Sequence, residues 1–376
     1  MAAVAAHPRS IEAHTSLGDM LRRDSQFAEA GEIDLAELRR RNDRGESVGA
    51  MARAASQLMP TLLEQGRIEG VISLGGGGGT SIATAAMRAL PIGFPKLMVS
   101  TLASGNTSAY VGTKDIVMFP SIVDVAGLNR LSALIFSRAA GAICGMVEAT
   151  ISPSSSKPLI VASMFGNTTD CVNAAKAILE QAGNEVLVFH ATGTGGRAME
   201  DLIQSGLVAG VLDVTTTELA DELLGGILSA GATRLEAAGK AGVPAVIAPG
   251  CLDMANFGPK DTVPEAYRRR NLYEHNPDIT LVRTTPEECR ELGRRLAEKV
   301  NAYTSPVTVL LPTKAISVIS AAGQPFHDPE ADKALFEAIA ETAQADVVSM
   351  DCEINSPEFA EACAQRLLRL IDDAAK

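Results

Sequence analysis

The chain has 376 residues, of which 46% are hydrophobic, 21% charged and 4% aromatic, and it carries a formal net charge of −12 at neutral pH. The surplus of acids opposes nonspecific attachment to nucleic acid, whose affinity comes mainly from Lys and Arg neutralising phosphates. At roughly 150 residues per domain the length suggests two domains, and the aliphatic, alanine-rich composition suits helices packed on parallel sheets.

Residues 1–70 show no convincing strand, and a helix is expected over 48–65, ended by Gly66. An apolar strand at 71–74 then runs into five consecutive glycines and a helix over 80–90. A second strand at 96–100 enters the polar segment 101–106, a third lies at 116–119, and a long helix covers 128–146. Turn formers across 151–158 break the pattern, which places a first domain at 1–152, a linker at 153–157 and a second domain at 158–376. Strands at 159–163, 185–190, 210–215, 243–248, 279–283, 307–311 and 347–350 alternate with helices in the second domain. The expected fold is therefore α/β, two Rossmann-like domains with mainly parallel sheets and a ligand cleft at the strand carboxyl ends.

Gly75, Gly76, Gly77, Gly78 and Gly79, followed by Thr80 and Ser81, exceed what a tight strand-to-helix turn needs. Each surplus glycine costs about 0.5–1 kcal/mol relative to alanine, while bare N–H groups at a helix start favour an anion such as phosphate. Thr80 stands where a Walker A loop has lysine, so the P-loop hydrolysis machinery is not expected. Lys96 and Lys114 are candidates for the missing positive charge. Thr101, Ser104, Gly105, Asn106, Thr113, Lys114 and Asp115 offer hydroxyls, amides and charge in the next polar segments.

The second domain holds a rival. Gly193, Gly195 and Ala198 give G-x-G-x-x-A after a strand, with Asp213 twenty residues past Gly193, the spacing of a dinucleotide fingerprint for NAD or NADP. Arg197, Asp213, Glu218, Asp253 and His275 form a candidate catalytic set for an enzyme acting on a small phosphorylated or carboxylated metabolite. Thr215, Thr216 and Thr217 also read as a cap for a helix with acids in its first turn. No G-x-S-x-G is present.

The six cysteines form no C-x-x-C pair or zinc-like cluster, no apolar run approaches about 18 residues, and the N-terminus lacks the pattern of a secretion signal. A cytoplasmic protein with reduced thiols and no membrane partner is expected. A symmetric homodimer is the expected assembly.

The segments GGGGGTSIATAAMRALPIGFPKLMVSTLASGN, YVGTKDI, GTGGRAMEDLI, GVLDVTTTELADELLGG, CLDMANFG, YEHNPDITLVRTT and GQPFHDPEADKALF resemble the Tm-1-like ATP-binding family, also called the UPF0261 family, over nearly all of residues 43–376. The resemblance implies a two-domain α/β protein whose first domain binds ATP with magnesium, with contacts on residues 75–81 and also on 101–106 and 113–115. The family's tomato member opposes a tobamovirus by binding its replication protein, so a protein-interaction module without catalysis is the implied alternative. Family members usually begin with a strand and a G-T-x-D-T-K-G-type loop that this sequence does not show, so the first domain is expected to be short of both.

Overall fold

The computed structural model describes residues 2–5, 33–149 and 157–374. The chain divides into two compact units, Met1–Ser154 and Ser155–Lys376, both mixed α/β; the expected linker 153–157 lies outside the described residues except at its last position.

The first unit is a four-stranded sheet in the order β1-β2-β3-β4, formed by Ala2–Ala5, Gly70–Gly75, Lys96–Ser100 and Val117–Pro120. The last three run parallel, while β1 pairs antiparallel with β2, Ala5 opposite Gly70. The expectation of no strand before residue 71 is corrected here: alanine has low strand propensity, so the run Ala-Ala-Val-Ala carries little signal. Its helices among the described residues are α1 (Leu35–Arg41), α2 (Arg44–Glu64), α3 (Gly77–Arg88), α4 (Ser108–Val111) and α5 (Arg130–Glu148). Side chains on β3 alternate between two cores, as the two-residue period requires. Met98 packs with Met59 and Leu62 of α2 and Met87 of α3, whereas Leu97 and Val99 pack with Ile135, Ala139 and Ile143 of α5. Helix α5 is the one described helix long and apolar enough to cross a membrane, with a mean hydropathy of 1.4, and its Ile135, Ala139 and Ile143 lie against the sheet.

The second unit has six parallel strands: β5 (Leu159–Met164), β6 (Glu185–His190), β7 (Val208–Thr215), β8 (Ala245–Gly250), β12 (Val307–Pro312) and β13 (Asp346–Met350). Their order is β13-β12-β8-β7-β5-β6, so the direction of winding reverses between β5 and β7. Around them lie α6 (Thr169–Gln181), α7 (Thr194–Ile203), α8 (Glu218–Leu224), α9 (Ala237–Ala241), α10 (Pro286–Asn301), α11 (Pro329–Thr342) and α12 (Pro357–Ala374). Cys171, Val172 and Leu179 of α6 meet Phe359, Cys363 and Leu367 of α12 over Ile160 and Leu212 of the sheet.

One expected member of the parallel alternation lies elsewhere. Ile279–Arg283 is β11, the middle strand of a separate antiparallel sheet between β10 (Leu272–Asn276) and β9 (Met254–Phe257). A parallel neighbour needs a crossover of a dozen or more residues, usually a helix. Between β8 and β11 the chain forms only the short 3-10 turn Lys260–Thr262 and two further strands, so it folds back on itself.

Candidate functional site

Strand β2 ends on Gly75, Gly76 is the N-cap of α3, and Gly77, Gly78 and Gly79 are its first helical residues, so the glycine run is a helix start rather than a loop. None of the five lies among the positive-φ residues. A Cβ on Gly75 would stand 2.9 Å from the Gly79 Cα, so that position needs glycine. The other four do not. Their nearest protein atoms to an added Cβ are Thr101 Oγ1 at 3.7 Å, Leu102 Cδ1 at 4.0 Å, Val48 Cγ2 at 3.5 Å and Leu74 O at 3.8 Å, all ordinary contacts. Neither conformation nor internal packing demands glycine at 76–79, although inside the helix Gly77, Gly78 and Gly79 each cost about 0.5–1 kcal/mol relative to alanine.

The first N–H groups of a helix have no intrahelical acceptor. Side chains of Asp34, Asp43, Asn129, Thr285 and Asp328 accept from such groups at the starts of α1, α2, α5, α10 and α11. Gly76 has no side chain to do so for α3. Because β2 and β3 are parallel neighbours, both carboxyl ends lie together, and Thr101 N donates to Gly75 O at 3.3 Å. The exposed Ser104 and Gly105 follow, while Asn106 Oδ1 accepts from Ser108 N at 3.0 Å. A residue outside the sequence expectation joins them: Arg44, the first residue of α2, brings Nη2 to 3.9 Å from the Cβ position of Gly78.

Several expected contacts fall away. Thr80 is fully buried and its hydroxyl bonds Ser100 Oγ at 2.7 Å, tying α3 to the end of β3. Lys96 opens β3, at the end opposite the glycines, and pairs there with Asp115 at 2.7 Å. Its Nζ also donates to Pro91 O at 2.7 Å and Phe94 O at 2.9 Å, while Gly93 N donates to Asp115 Oδ2 at 2.8 Å. Burial lowers the Lys96 pKa, with Asp115 opposing. Arg88, at the far end of α3, donates to Tyr110 O, which places 110–115 near that end. Gly79 and Arg88 are nine residues apart in α3, about 13 Å at roughly 1.5 Å per residue, and Asp115 pairs with the first residue of β3, so Thr113, Lys114 and Asp115 lie toward the opposite end from the glycines. These three are corrected as phosphate contacts.

The second glycine segment is different, because every glycine in it is required by the protein's own atoms. Gly193 has φ +79 and a Cβ there would lie 2.7 Å from Ser229 O; at Gly195 it would lie 1.8 Å from His190 O, and at Gly196 2.1 Å from Glu218 Oε2. Glu218 Oε1 accepts from Gly193 N at 2.7 Å and Gly196 N at 3.1 Å, so an internal carboxylate occupies the helix start where a pyrophosphate would bind. Its other oxygen takes Arg234 Nε at 2.6 Å. Arg234, a side chain with no exposure, also forks onto Asp213 at 2.5 and 2.7 Å and reaches Glu200 at 3.3 Å. Burial alone would lower its pKa, but the carboxylates outweigh that and hold it well above the ordinary value. Asp213, spaced for a ribose hydroxyl, instead accepts from Arg234 and from Ser163 Oγ at 2.6 Å. The dinucleotide reading of Gly193, Gly195 and Ala198 is thereby corrected.

The candidate catalytic set does not converge. Asp213 and Glu218 meet only through Arg234. Arg197 is exposed and donates to Ser229 O at 2.9 Å, and His275 is exposed on β10. Asp253 is fully buried elsewhere, with Oδ2 accepting from Ser317 Oγ at 2.8 Å and Oδ1 without a hydrogen-bond partner; burial raises its pKa, with Arg283 opposing. Thr216 and Thr217 donate to Ala248 O and Met254 O rather than capping α8. Among the described residues no group of three His, Cys, Asp or Glu is placed to hold a metal ion.

Comparison with known proteins agrees with the two-part division. The Uncharacterised protein family (UPF0261) N-terminal domain matches residues 11–152 and its C-terminal domain matches residues 157–371. A UPF0261 protein of Clostridium tetani is 51% identical over 351 residues, covering 92% of this chain and 87% of that protein. A UPF0261 protein of Rhizobium meliloti is 48% identical over 325 residues, covering 85% and 81%. The ToMV resistance protein Tm-1(GCR237) of Solanum lycopersicum is 42% identical over 337 residues, which is 87% of this chain and 45% of the tomato protein. Matched through both of its domains, the chain belongs to the UPF0261 family.

Proposed function

We propose that the first unit binds a nucleotide, ATP foremost, by its phosphates at the N-terminus of α3. The observation that carries this reading is the contrast between the two glycine segments: glycine at 193–196 is explained from within the protein, and glycine at 76–79 is not. A backbone that must be approached closely by a ligand is the remaining physical reason for four residues without Cβ. Phosphate oxygens would accept from the N–H groups of Gly77, Gly78 and Gly79, with the Arg44 guanidinium and the Thr101 hydroxyl at the margin. The Tm-1-like resemblance selects ATP among the anions that such a helix start accepts.

Magnesium would arrive with the nucleotide, held mainly by phosphate oxygens and water, as this ion commonly is. Binding rather than hydrolysis is the assigned role, since no lysine directly follows the last glycine, and Glu218 and Asp213 of the second unit are held by backbone amides and Arg234. Six free cysteines accord with a reducing cytoplasmic setting. Titration calorimetry with ATP tests the reading on the full chain and on Gly77→Val, a position where an added Cβ meets no atom closer than 4.0 Å. Binding by the parent and a loss of at least about tenfold in the variant are expected, equivalent to about 1.4 kcal/mol. No heat at millimolar ATP, or equal affinity in the two proteins, would sink it.

A further inference from the structure

Four of the nine large apolar side chains that stand exposed among the described residues, Ile122, Leu128, Leu131 and Leu134, fall within thirteen positions of the chain. Single exposed apolar residues are ordinary, whereas a cluster marks a ligand or partner site. The sheet of the first unit fixes its place. Gly75 stands opposite Ser100 in the pairing of β2 with β3, and Ser100 opposite Pro120 in that of β3 with β4, so the three carboxyl ends lie level. At about 4.8 Å per strand, the end of β4 is roughly 10 Å from the end of β2. Residues 121–129 lead from β4 into α5, whose first turn carries Leu131. The cluster therefore begins beside the α3 helix start, where ligands of parallel sheets bind.

The segment is anchored. Ser121 is buried and donates through its N–H to Ser100 O at 3.1 Å and through Oγ to Val123 O at 2.7 Å. Val123 N closes back on Ser121 O at 2.7 Å, which makes 121–123 a γ-turn centred on Ile122 at φ +63. A β-branched residue is strained in that backbone, which glycine adopts freely, yet the turn presents an isoleucine that is 72% exposed. Leu128, 76% exposed, precedes Asn129, the N-cap of α5.

Charge gives the site a direction. Between Asp115 and Arg130 the one charged residue is Asp124, which is exposed. A carboxylate among aliphatic side chains repels phosphate but suits the uncharged end of a nucleotide. Aliphatic groups cover the flat face of a base, and a carboxylate accepts from ribose hydroxyls. Arg44, close to Gly78, supplies the opposite sign at the phosphate end.

We propose that the nucleoside end of the ligand lies over the carboxyl end of β4, the base against Ile122 and Leu128 and the ribose hydroxyls on Asp124; the inference rests on the phosphate site at α3. The test is calorimetry on the full chain with ATP and, separately, tripolyphosphate, at equal magnesium. The parent is expected to bind ATP at least tenfold more tightly than tripolyphosphate. The Ile122→Gly/Leu128→Ser variant, whose glycine adopts φ +63 without strain, is expected to lose that preference while binding tripolyphosphate as the parent does. Asp124→Ala is expected to weaken ATP but not 2′,3′-dideoxy-ATP, and equal weakening of both would overturn the ribose contact. The proposal is overturned if the parent binds the two ligands equally, or if the double variant keeps the preference. In either case, loss of tripolyphosphate binding in Gly77→Val leaves the phosphate reading standing. If neither ligand binds the parent at millimolar concentration, the phosphate reading fails and this inference fails with it. Sedimentation velocity covers the other occupant of such a face. A double variant that breaks a dimer of the parent yet keeps the ATP preference would assign the face to a second copy of the chain and overturn the proposal.

Discussion

Replacing Gly77 and Gly78 together by alanine separates a ligand-driven glycine run from a structural one. Both residues are helical, and an added Cβ meets nothing closer than Leu102 Cδ1 at 4.0 Å or Val48 Cγ2 at 3.5 Å. Alanine restricts the unfolded chain and favours the helix, so each change should add about 0.5–1 kcal/mol, or roughly 1–2 kcal/mol together. For a domain of this size that corresponds to a rise of roughly 2–8 °C in the unfolding temperature of the first unit. The same two methyl groups would stand where the phosphates approach the backbone, so ATP affinity should fall at least about tenfold, or 1.4 kcal/mol. Urea and thermal unfolding measure the first quantity, and calorimetry with ATP the second. A destabilised double variant would show that the glycines serve the fold. A stabilised variant that binds ATP as tightly as the parent would show that they serve some other purpose.

The second glycine segment should behave oppositely. Gly196→Ala places a Cβ 2.1 Å from Glu218 Oε2, so the carboxylate must leave its amide partners, and a loss of about 1–3 kcal/mol in urea unfolding is expected; an unchanged midpoint would refute the internal-anion account. Arg234→Met strands Asp213 and Glu218 without their buried cation and should cost about 3–5 kcal/mol by the same measurement. Asp221 gives a pH test: burial raises its carboxyl to about 7, while Asn256 Nδ2 at 2.7 Å and the amides of Leu228 and Asn256 oppose. The folded state thus holds this proton more tightly than the unfolded chain, so the stabilisation is complete below the ordinary carboxyl pKa, declines as pH rises, and is gone above about 7. Asp221→Asn removes that dependence. Its stability relative to the parent should climb by a few kcal/mol at most between about pH 4 and 7, with the Asn256 amide turning so that its unpartnered Oδ1 accepts; parallel pH profiles would contradict this.

Much of the architecture was legible because apolar runs bounded by glycine and proline fall on the strand periodicity. Strands β3, β6 and β11 lie at the expected residues, while β1, β9 and β10 were hidden. Their residues include alanine, asparagine, glutamate and histidine, whose strand conformation depends on pairing with a neighbour rather than on local preference. The glycine run at the helix start was visible for the same reason, since so much unneeded flexibility stands out in one dimension. What spacing could not supply was the partner of each polar group. Gly193 and Asp213 had the right separation for a dinucleotide, but Glu218 and Arg234 fill that role from within, and a lone arginine in a Gly/Ala-rich stretch carries no sequence signal. Arg44 was hidden similarly, in a charged tract whose Arg40 and Arg41 pair with Glu37 on an exposed helix face.

The central claim is that the α3 helix start, and not the α7 helix start, receives a nucleotide. Glycine-selective amide labelling followed by NMR during ATP titration reads both in one experiment. The account predicts saturable shifts at Gly77, Gly78 and Gly79 with Gly193, Gly195 and Gly196 unmoved. Shifts confined to the second set, or none in the first at millimolar ATP, would contradict it.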